Sequence, residues 1–389
     1  MWNGLPWGGV RRPRASAVVW SVLLVFGLVR MGQGTWHVKE LARVGRGIYG
    51  ELGYVVPFAE EADSLPLLVL SAGVAGSWFG LHFYRYAPVN QYVLVKVDTG
   101  NLGGSGGLRP GNLMPWVAGD LDGDSRPELI GYNANYTVGY GLVAAYVPPA
   151  GSGIPDSLRA GARYDGLAGG GIGYHLTDLD RDGRDEVSFF GTEYDVSVFE
   201  WNGDSLSHVI SVPCLNGSDI AVGDFDQDGL TEVGTTGLRW DNWIVVYKCT
   251  GDNTLVPWDS TSITRPNGRV FMASNLDGSH RPVLFVSYFV VGGWAWLYEV
   301  EPTNGTRGYQ PIPVDSIMDR GEVYAHSTCG DIDGDGLDEV LWSTGNQIRV
   351  YKCTGPHQYE LVWVWDQGSN NSCNLNLYDM NGNGYNEIL

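Results

Sequence analysis

Carboxylates crowd one short segment of this chain, Gly330–Val340, at a spacing that fits metal chemistry. Asp331, Asp333 and Asp335 alternate along it, and Glu339 follows eight residues after the first aspartate. Two like charges about 4 Å apart repel by roughly 1 kcal/mol in water and by about 4 kcal/mol near a protein surface. A hard divalent cation removes this repulsion, and calcium takes roughly six to eight oxygen ligands. The spacing therefore predicts a calcium-binding turn.

The ligands of this turn follow from its spacing. The side chains of Asp331, Asp333 and Asp335, the backbone carbonyl of Leu337 and a closing Glu339 are expected to surround the ion. In an EF-hand the closing glutamate stands further along the chain and helices flank the loop. The sequence therefore predicts a compact calcium turn of another type.

Further copies of this turn repeat the same ligand positions. Three carry all four acids, and one is softened by two amides, so the sequence predicts four calcium ions and a fifth site in the softened copy. The ligands predicted in these copies, with the seventh position giving its carbonyl, are Asp120, Asp122, Asp124, Arg126 and Glu128; Asp178, Asp180, Asp182, Arg184 and Glu186; Asp224, Asp226, Asp228, Leu230 and Glu232; and Asp379, Asn381, Asn383, Tyr385 and Glu387.

Two degraded copies complete a repeat that runs along most of the chain. The copies near Ala59 and Asn275 have lost ligands, and we expect no metal in either. Counting all copies, the turns begin at residues 59, 120, 178, 224, 275, 331 and 379. A period of about fifty residues indicates a repeat architecture.

Each repeat unit carries a similar succession of short strands. An apolar strand leads into the turn, a second leaves it, a third is often aromatic, and a fourth is visible in places, as at Tyr359–Trp365. Four short antiparallel strands per unit predict an all-β fold, a seven-bladed β-propeller of about 50-residue repeats with calcium-binding turns. The last copy reaches Leu389 as its second strand begins, so we expect a truncated last blade.

The turns and their period resemble the FG-GAP and VCBS repeats, a family that includes the amino-terminal β-propeller of integrin α subunits. The resemblance covers about residues 53–389 and is strongest at the turns that begin at Asp178, Asp224 and Asp331. It implies one calcium ion per intact turn, on one rim of the propeller, between the first and second strands of a blade.

Composition limits the classes of function. The formal net charge is −20, which argues against binding nucleic acid or an anionic membrane through a basic face. Many of the acidic residues lie in the repeated turns, which indicates that they serve as metal ligands. With five cysteines and no Cys/His ligand spacing, structural zinc is not expected.

The amino terminus has the pattern of a secretory signal. Arg11, Arg12 and Arg14 precede an apolar run from Ala15 to Val29, and small residues follow near Gly34. We therefore interpret residues 1–34 as a cleaved signal peptide and residues 35–52 as a linker or closing strand. Residues 53–389 form the propeller, which is expected to be secreted, extracellular or at the cell surface, with no membrane span after cleavage.

The predicted function is binding rather than catalysis. Filled metal turns and the lack of a nucleophile–base constellation favour a non-catalytic adhesion module for an extracellular protein or polysaccharide, with no nucleic-acid partner. Two alternatives stay open: a carbohydrate-active propeller such as a polysaccharide lyase, with His175 or His326 near its channel, and a purely structural segment of a larger cell-surface protein.

Overall fold

The structure, a computed structural model, consists of short strands joined by turns. It describes residues 23–31, 35–44, 55–58, 66–74, 77–87, 91–99, 113–135, 140–148, 154–155, 157–164, 174–191, 195–213, 219–236, 243–263, 268–289, 293–303, 308–318, 327–366 and 375–389. Every regular element in this part of the chain is a β-strand.

The strands are numbered in chain order. They are β1 (Leu23–Met31), β2 (Thr35–Val44), β3 (Val55–Phe58), β4 (Leu67–Val74), β5 (Ser77–Ala87), β6 (Gln91–Thr99), β7 (Leu113–Gly119), β8 (Glu128–Asn135), β9 (Tyr140–Val147), β10 (Ser157–Tyr164), β11 (Tyr174–Thr177), β12 (Glu186–Gly191), β13 (Asp195–Trp201), β14 (Leu206–Pro213), β15 (Ile220–Gly223), β16 (Glu232–Thr236), β17 (Trp243–Cys249), β18 (Leu255–Ser262), β19 (Gly268–Ala273), β20 (Val283–Phe289), β21 (Trp294–Pro302), β22 (Tyr309–Met318), β23 (Thr328–Gly330), β24 (Glu339–Ser343), β25 (Gln347–Gly355), β26 (Gln358–Asp366), β27 (Leu377–Tyr378) and β28 (Glu387–Ile388).

Six antiparallel sheets each use four consecutive strands, and each pairs its strands in chain order. Sheet 1 is β3–β6, sheet 2 is β7–β10, sheet 3 is β11–β14, sheet 4 is β15–β18, sheet 5 is β19–β22 and sheet 6 is β23–β26. This up-and-down order needs only short connections between neighbouring strands. Radial repetition of such sheets is a β-propeller.

A further four-stranded sheet, sheet 7, joins the two ends of the chain. Its strand order is β2–β1–β28–β27, so β27 and β28 come from the last repeat and β1 and β2 from the first residues. Phe26 of β1 pairs with Ile388 of β28. The expected truncation of the last blade is therefore not confirmed, because amino-terminal strands supply its third and fourth positions.

The core lies between the sheets, because propeller strands are covered on both faces. Each apolar cluster joins two neighbouring sheets: Val187 and Phe189 of sheet 3 pack with Ile130 and Val143 of sheet 2, for example. Equivalent clusters join sheets 3 and 4, 4 and 5, 5 and 6, and 1 and 2. Sheet 7 packs on both of its neighbours, sheet 6 and sheet 1.

The prediction of an all-β propeller is confirmed, but one segment differs from expectation. β1 lies inside residues 1–34, which the sequence assigns to a cleaved signal peptide, and β2 lies in the segment assigned to a linker or closing strand. A mature chain that began near Gly34 would lack β1. The signal peptide stays a prediction. Its removal would be incompatible with the strand arrangement of sheet 7, which contains β1.

Candidate metal centres

Each intact acidic turn connects the first and second strands of its sheet. The turn that begins at Asp178 runs from β11 to β12, and the other copies stand at the same place in sheets 2, 4, 6 and 7. The chain bends tightly here: Arg181 has φ 65° and Gly183 has φ 94°. Glycine adopts this left-handed region without a steric penalty, which explains the glycine at the sixth position of most copies.

Backbone N–H groups fold the turn by binding one oxygen of each acid. In sheet 3, Asp178 Oδ2 accepts from the amide of Gly183 at 3.0 Å, and Asp180 Oδ1 accepts from the amide of Asp182 at 3.1 Å. Glu186 Oε2 accepts from the amide of the second turn residue at 2.7 Å. The copies in sheets 2, 4 and 6 repeat these bonds. Local Asx-type bonds of this kind favour the turn over helix or strand.

The second oxygen of the first and last acids has no hydrogen-bond donor in three of the turns. Asp120 Oδ1 and Glu128 Oε1 are buried without one, and so are Asp178 Oδ1 and Glu186 Oε1. In sheet 4 the same is true of Asp224 Oδ1 and Glu232 Oε1. The glutamates are 0% and 1% exposed. A buried carboxylate oxygen without a partner costs about 1–3 kcal/mol or more. The chemistry of these oxygens therefore fits that of cation ligands.

The acids converge closely enough for one ion in each of four turns. One oxygen from each member of a group lies within 4.8 Å of the others, and the groups are Asp120, Asp122 and Glu128; Asp178, Asp180 and Glu186; Asp224, Asp226, Asp228 and Glu232; and Asp331, Asp333 and Glu339. The fifth-position acids Asp124, Asp182 and Asp335 are outside these groups. They bind the amide of the seventh residue instead.

Burial without a cation makes these glutamates hard to ionise. Burial, with added repulsion from neighbouring aspartates, raises the pKa of Glu128 and of Glu186 to about 8. Burial also raises the pKa of Glu232 and of Glu339 to about 7. A bound divalent cation would favour the charged form in all four.

Two of the four turns contain an ammonium group among their acids. Lys248 Nζ lies 2.6 Å from Asp226 Oδ2, 2.7 Å from Asp228 Oδ2 and 2.9 Å from Glu232 Oε1. In sheet 6, the corresponding contacts join Lys352 Nζ to Asp333 Oδ2 at 2.7 Å, Asp335 Oδ2 at 2.5 Å and Glu339 Oε1 at 3.2 Å. The two Glu Oε1 atoms form these ion pairs without a hydrogen bond of normal geometry.

The other two turns have different neighbours at the third-position acid. Arg159 Nε lies 2.5 Å from Asp122 Oδ2, with the arginine side chain 43% exposed. Asp180 Oδ2 accepts from the backbone amide of Asn253, which stands on the β17–β18 hairpin of the next sheet. Both neighbours contact Oδ2 of the third-position aspartate. The oxygens of the first and last acids that lack a donor are not among these contacts.

The softened turn of sheet 7 supplies its own donors. Asn381 Nδ2 donates to Glu387 Oε1, the atom whose counterpart is unpartnered in sheets 2 and 3. Asp379 Oδ1 accepts from the amide of Asn383 at 3.0 Å. Its closing acid is thus satisfied without a cation. The calcium predicted at Asp379 gains no support from this geometry.

The degraded turns bear on how far the fold needs metal. The turn at Asn275 keeps the backbone pattern, since Asn275 Oδ1 accepts from the amide of His280 and Asp277 Oδ1 from that of Ser279. Val283 replaces the closing acid. The copy at Ala59 lies outside the described residues, as does His326. The loop can therefore fold on side chain–backbone bonds alone.

Sequence reasoning did not identify the lysines or one further acidic group. Lys248 and Lys352 stand opposite the closing glutamates in the strand register, in two copies of Val-Tyr-Lys-Cys-Thr-Gly that begin at Val246 and Val350. This duplicated hexapeptide was the available signal. Glu299, Glu301 and His357 form another acidic group, at the sheet 5–sheet 6 boundary.

That further group has protein partners for all of its acids. Glu299 Oε2 accepts from Tyr359 Oη at 2.8 Å and lies 3.1 Å from His357 Nδ1. Arg281 Nη2 lies 2.5 Å from Glu301 Oε1. We therefore treat it as a contact between sheets 5 and 6.

Comparisons with known proteins agree with this fold and these turns. Residues 178–235 and 331–389 match the FG-GAP-like repeat, and the matches include the turns of sheets 3, 4, 6 and 7. No curated protein matches the chain.

In the described part of the chain no helix has the length and hydropathy needed to cross a membrane.

A solved structure extends the likeness to nearly the whole chain. It is the periplasmic gluconolactonase PpgL of Pseudomonas aeruginosa, which aligns with a TM-score of 0.51 and 15% identity over 90% of this chain and 97% of that protein. At this identity the likeness concerns the fold alone. The chain contains two matches to the FG-GAP-like repeat and forms a β-propeller, which is consistent with an FG-GAP repeat β-propeller.

Proposed function

We propose that this protein is a calcium-binding β-propeller whose ions hold turns on one rim. The observation that carries the proposal is that sheets 2 and 3 each bury carboxylate oxygens that have neither a hydrogen-bond donor nor a lysine partner: Asp120 Oδ1, Glu128 Oε1, Asp178 Oδ1 and Glu186 Oε1. Oxygen-only ligands favour a hard cation, and calcium tolerates the irregular geometry of such turns better than magnesium does.

The ions would act on stability rather than on chemistry. Extracellular calcium modules bind at about 10⁻⁴–10⁻³ M. At millimolar calcium and a dissociation constant near 0.1 mM, each site adds roughly 1.4 kcal/mol to the free energy of unfolding. Two sites give about 3 kcal/mol, a sizeable part of the net stability of a domain. This affinity range suits a protein that is secreted or displayed outside the cell.

We further infer that sheet 7 serves as the seventh blade and closes the ring. Met380 of its turn and Leu389, which follows β28, pack against Leu68 and Leu70 of sheet 1. On its other side, Ile388 packs against Leu341 and Val350 of sheet 6. A sheet held on both faces completes the circle of neighbours and leaves no gap between sheets 6 and 1.

The calcium proposal is tested by thermal unfolding with and without a chelator. Removing calcium should lower the melting midpoint by about 4 °C for two occupied sites in a chain of this size. Glu128→Gln and Glu186→Gln keep an oxygen for the backbone amide but weaken metal binding, so each variant should lose part of the calcium-dependent shift. Glu360→Gln, the same change at an exposed outer-strand acid, is the matched control. An unchanged wild-type midpoint would reject the proposal.

Within that frame, the propeller is proposed to be a non-catalytic binding module for an extracellular polysaccharide or protein. Two exposed tryptophans support a carbohydrate ligand: Trp243 is 44% exposed and Trp294 is 40% exposed. Each begins the third strand of its sheet, and the two sheets are neighbours. Aromatic faces at matching places on adjacent blades suit stacking on sugar rings.

A glycan array separates this proposal from the alternatives. The wild type should bind at least one polysaccharide class, and Trp243→Ala with Trp294→Ala should abolish binding while the melting midpoint stays unchanged. Turnover in a lyase assay on uronic-acid polymers, or in a lactonase assay, would instead identify an enzyme. A protein with neither binding nor turnover would fit a structural segment.

A further inference from the structure

Two lysines stand where the cation of a turn is expected. Lys248 lies on β17 and Lys352 on β25, the third strands of sheets 4 and 6. Each ammonium group contacts the third-position, fifth-position and closing acids of its own turn at distances between 2.5 and 3.2 Å. An ammonium nitrogen surrounded by three carboxylates is placed as a bound cation would be.

The position of Lys248 is fixed by its surroundings. Its side chain is 1% exposed, and Nζ lies 4.1 Å from the centroid of the Trp258 ring. The aromatic face adds a cation–π attraction. Lys352 is 22% exposed and meets the same three ligand positions. A calcium ion in either turn would have to displace a positive charge already paired with its ligands.

The turns of sheets 2 and 3 carry different residues opposite the closing acid. In sheet 3 the strand register pairs Glu186 with Glu200, an acid, where sheet 4 pairs Glu232 with Lys248. In sheet 2 the neighbouring pair Leu129–Tyr146 sets Glu128 opposite Val147, an apolar residue. Neither side chain can supply a cation. In the turns of sheets 2, 3 and 4 alike, the first and the last acid each keep an oxygen without a hydrogen-bond donor. Of these three described turns, that of sheet 4 has an ammonium group among its acids, since Lys248 Nζ lies 2.9 Å from Glu232 Oε1.

We propose that Lys248 and Lys352 are built-in cations that close the turns of sheets 4 and 6 without metal, so that calcium enters only the turns of sheets 2 and 3. The assignment of calcium to the turns of sheets 2 and 3 rests on the proposed calcium-binding function. The repeat thus uses three devices for one loop: a metal ion in sheets 2 and 3, an ammonium group in sheets 4 and 6, and an amide in sheet 7.

Calcium stoichiometry of the full chain tests the division. After removal of calcium by a chelator and dialysis, isothermal titration with calcium chloride should give two equivalents for the wild type. Lys352→Met removes the charge but keeps the length of the side chain and should give three. Lys248→Met should likewise give three, and the double variant four. Lys96→Met, which removes a lysine paired with Asp98 on β6, should leave the value at two.

The outcomes separate this inference from the function on which it rests. Four equivalents in the wild type, or two in a folded Lys352→Met variant, would overturn the role of the lysines while calcium binding stands. No binding in the wild type or in any lysine variant would reject the calcium function itself. Circular dichroism checks the fold of each variant. If the buried Lys248 proves necessary for folding, the half-buried Lys352 still decides the question.

Discussion

The first and last acids of the turns in sheets 2, 3 and 4 use their two oxygens differently. One oxygen accepts from a backbone amide and shapes the loop, while the other is buried without a hydrogen-bond donor. The first, third and ninth positions converge in four copies, and their role as metal ligands stays a prediction. Spacing did not identify the lysines, because they come from a strand that pairs with the turn only after folding.

A pH prediction belongs to His175. Its Nε2 lies 3.0 Å from the carbonyl oxygen of Ile220 in the next sheet, and burial lowers its pKa below 6.5 although the buried Asp219 opposes this. The unfolded chain therefore takes up the proton first as pH falls, so stability is lost from about pH 6.5 downward to the folded pKa. Above pH 6.5 this residue contributes no pH dependence.

Urea unfolding at constant calcium checks the histidine prediction. His175→Gln can still donate to the Ile220 carbonyl but cannot be protonated. The free energy of unfolding of the wild type should fall further between pH 7.5 and pH 5 than that of the variant. An equal fall in both proteins, or a larger fall in the variant, would contradict the account.

At the scale of elements, the turns also fasten neighbouring sheets to one another. Asp338, at the eighth position of the sheet 6 turn, accepts from the amide of Ser274 at 2.6 Å and from that of Asn275 at 2.9 Å. Asn386, at the same position in sheet 7, donates to the carbonyl of Asp331 at 2.8 Å. The eighth position of the turn is not a predicted metal ligand, but its side chain connects neighbouring sheets along the rim.

The Asp338 link predicts a stability loss. Asp338→Ala leaves the amides of Ser274 and Asn275 without their acceptor in a partly buried place, which should cost about 1–3 kcal/mol. Asp204→Ala, at an exposed acid in the β13–β14 hairpin, is the matched control and should change stability by less than about 0.5 kcal/mol. Chemical denaturation measures both, and an equal effect of the two changes would show that the link adds nothing.

At the scale of the whole molecule, ring closure depends on which strands complete sheet 7. A chain that starts at Thr35 lacks β1, so β28 keeps only β27 as a neighbour in sheet 7 and β2 loses the strand with which it pairs. It should melt at least about 5 °C below the full chain, whereas a chain that starts at Leu23 should melt like the full chain. If the chain starting at Thr35 is as stable as the full chain, β1 is dispensable and the predicted cleavage near Gly34 is compatible with the fold.

The architecture was largely predictable, and its closure was not. Repeated turns and short strands indicate the propeller, because six of the described sheets repeat one local pattern. The truncation expected for the last blade is not confirmed, since an apolar run such as Leu23–Met31 is compatible with a signal peptide and also with a strand. Composition alone cannot distinguish a signal peptide from a strand. The distinction depends on pairing with β28, which lies more than 350 positions further along the chain.

Calcium binding can be seen directly in an anomalous difference map from crystals grown in calcium. We expect peaks about 2.3–2.6 Å from Asp120 Oδ1 and Glu128 Oε1, and from Asp178 Oδ1 and Glu186 Oε1. We expect no peak beside Lys248 or Lys352. Absence of density from the turns of sheets 2 and 3 at millimolar calcium would contradict the calcium-binding proposal.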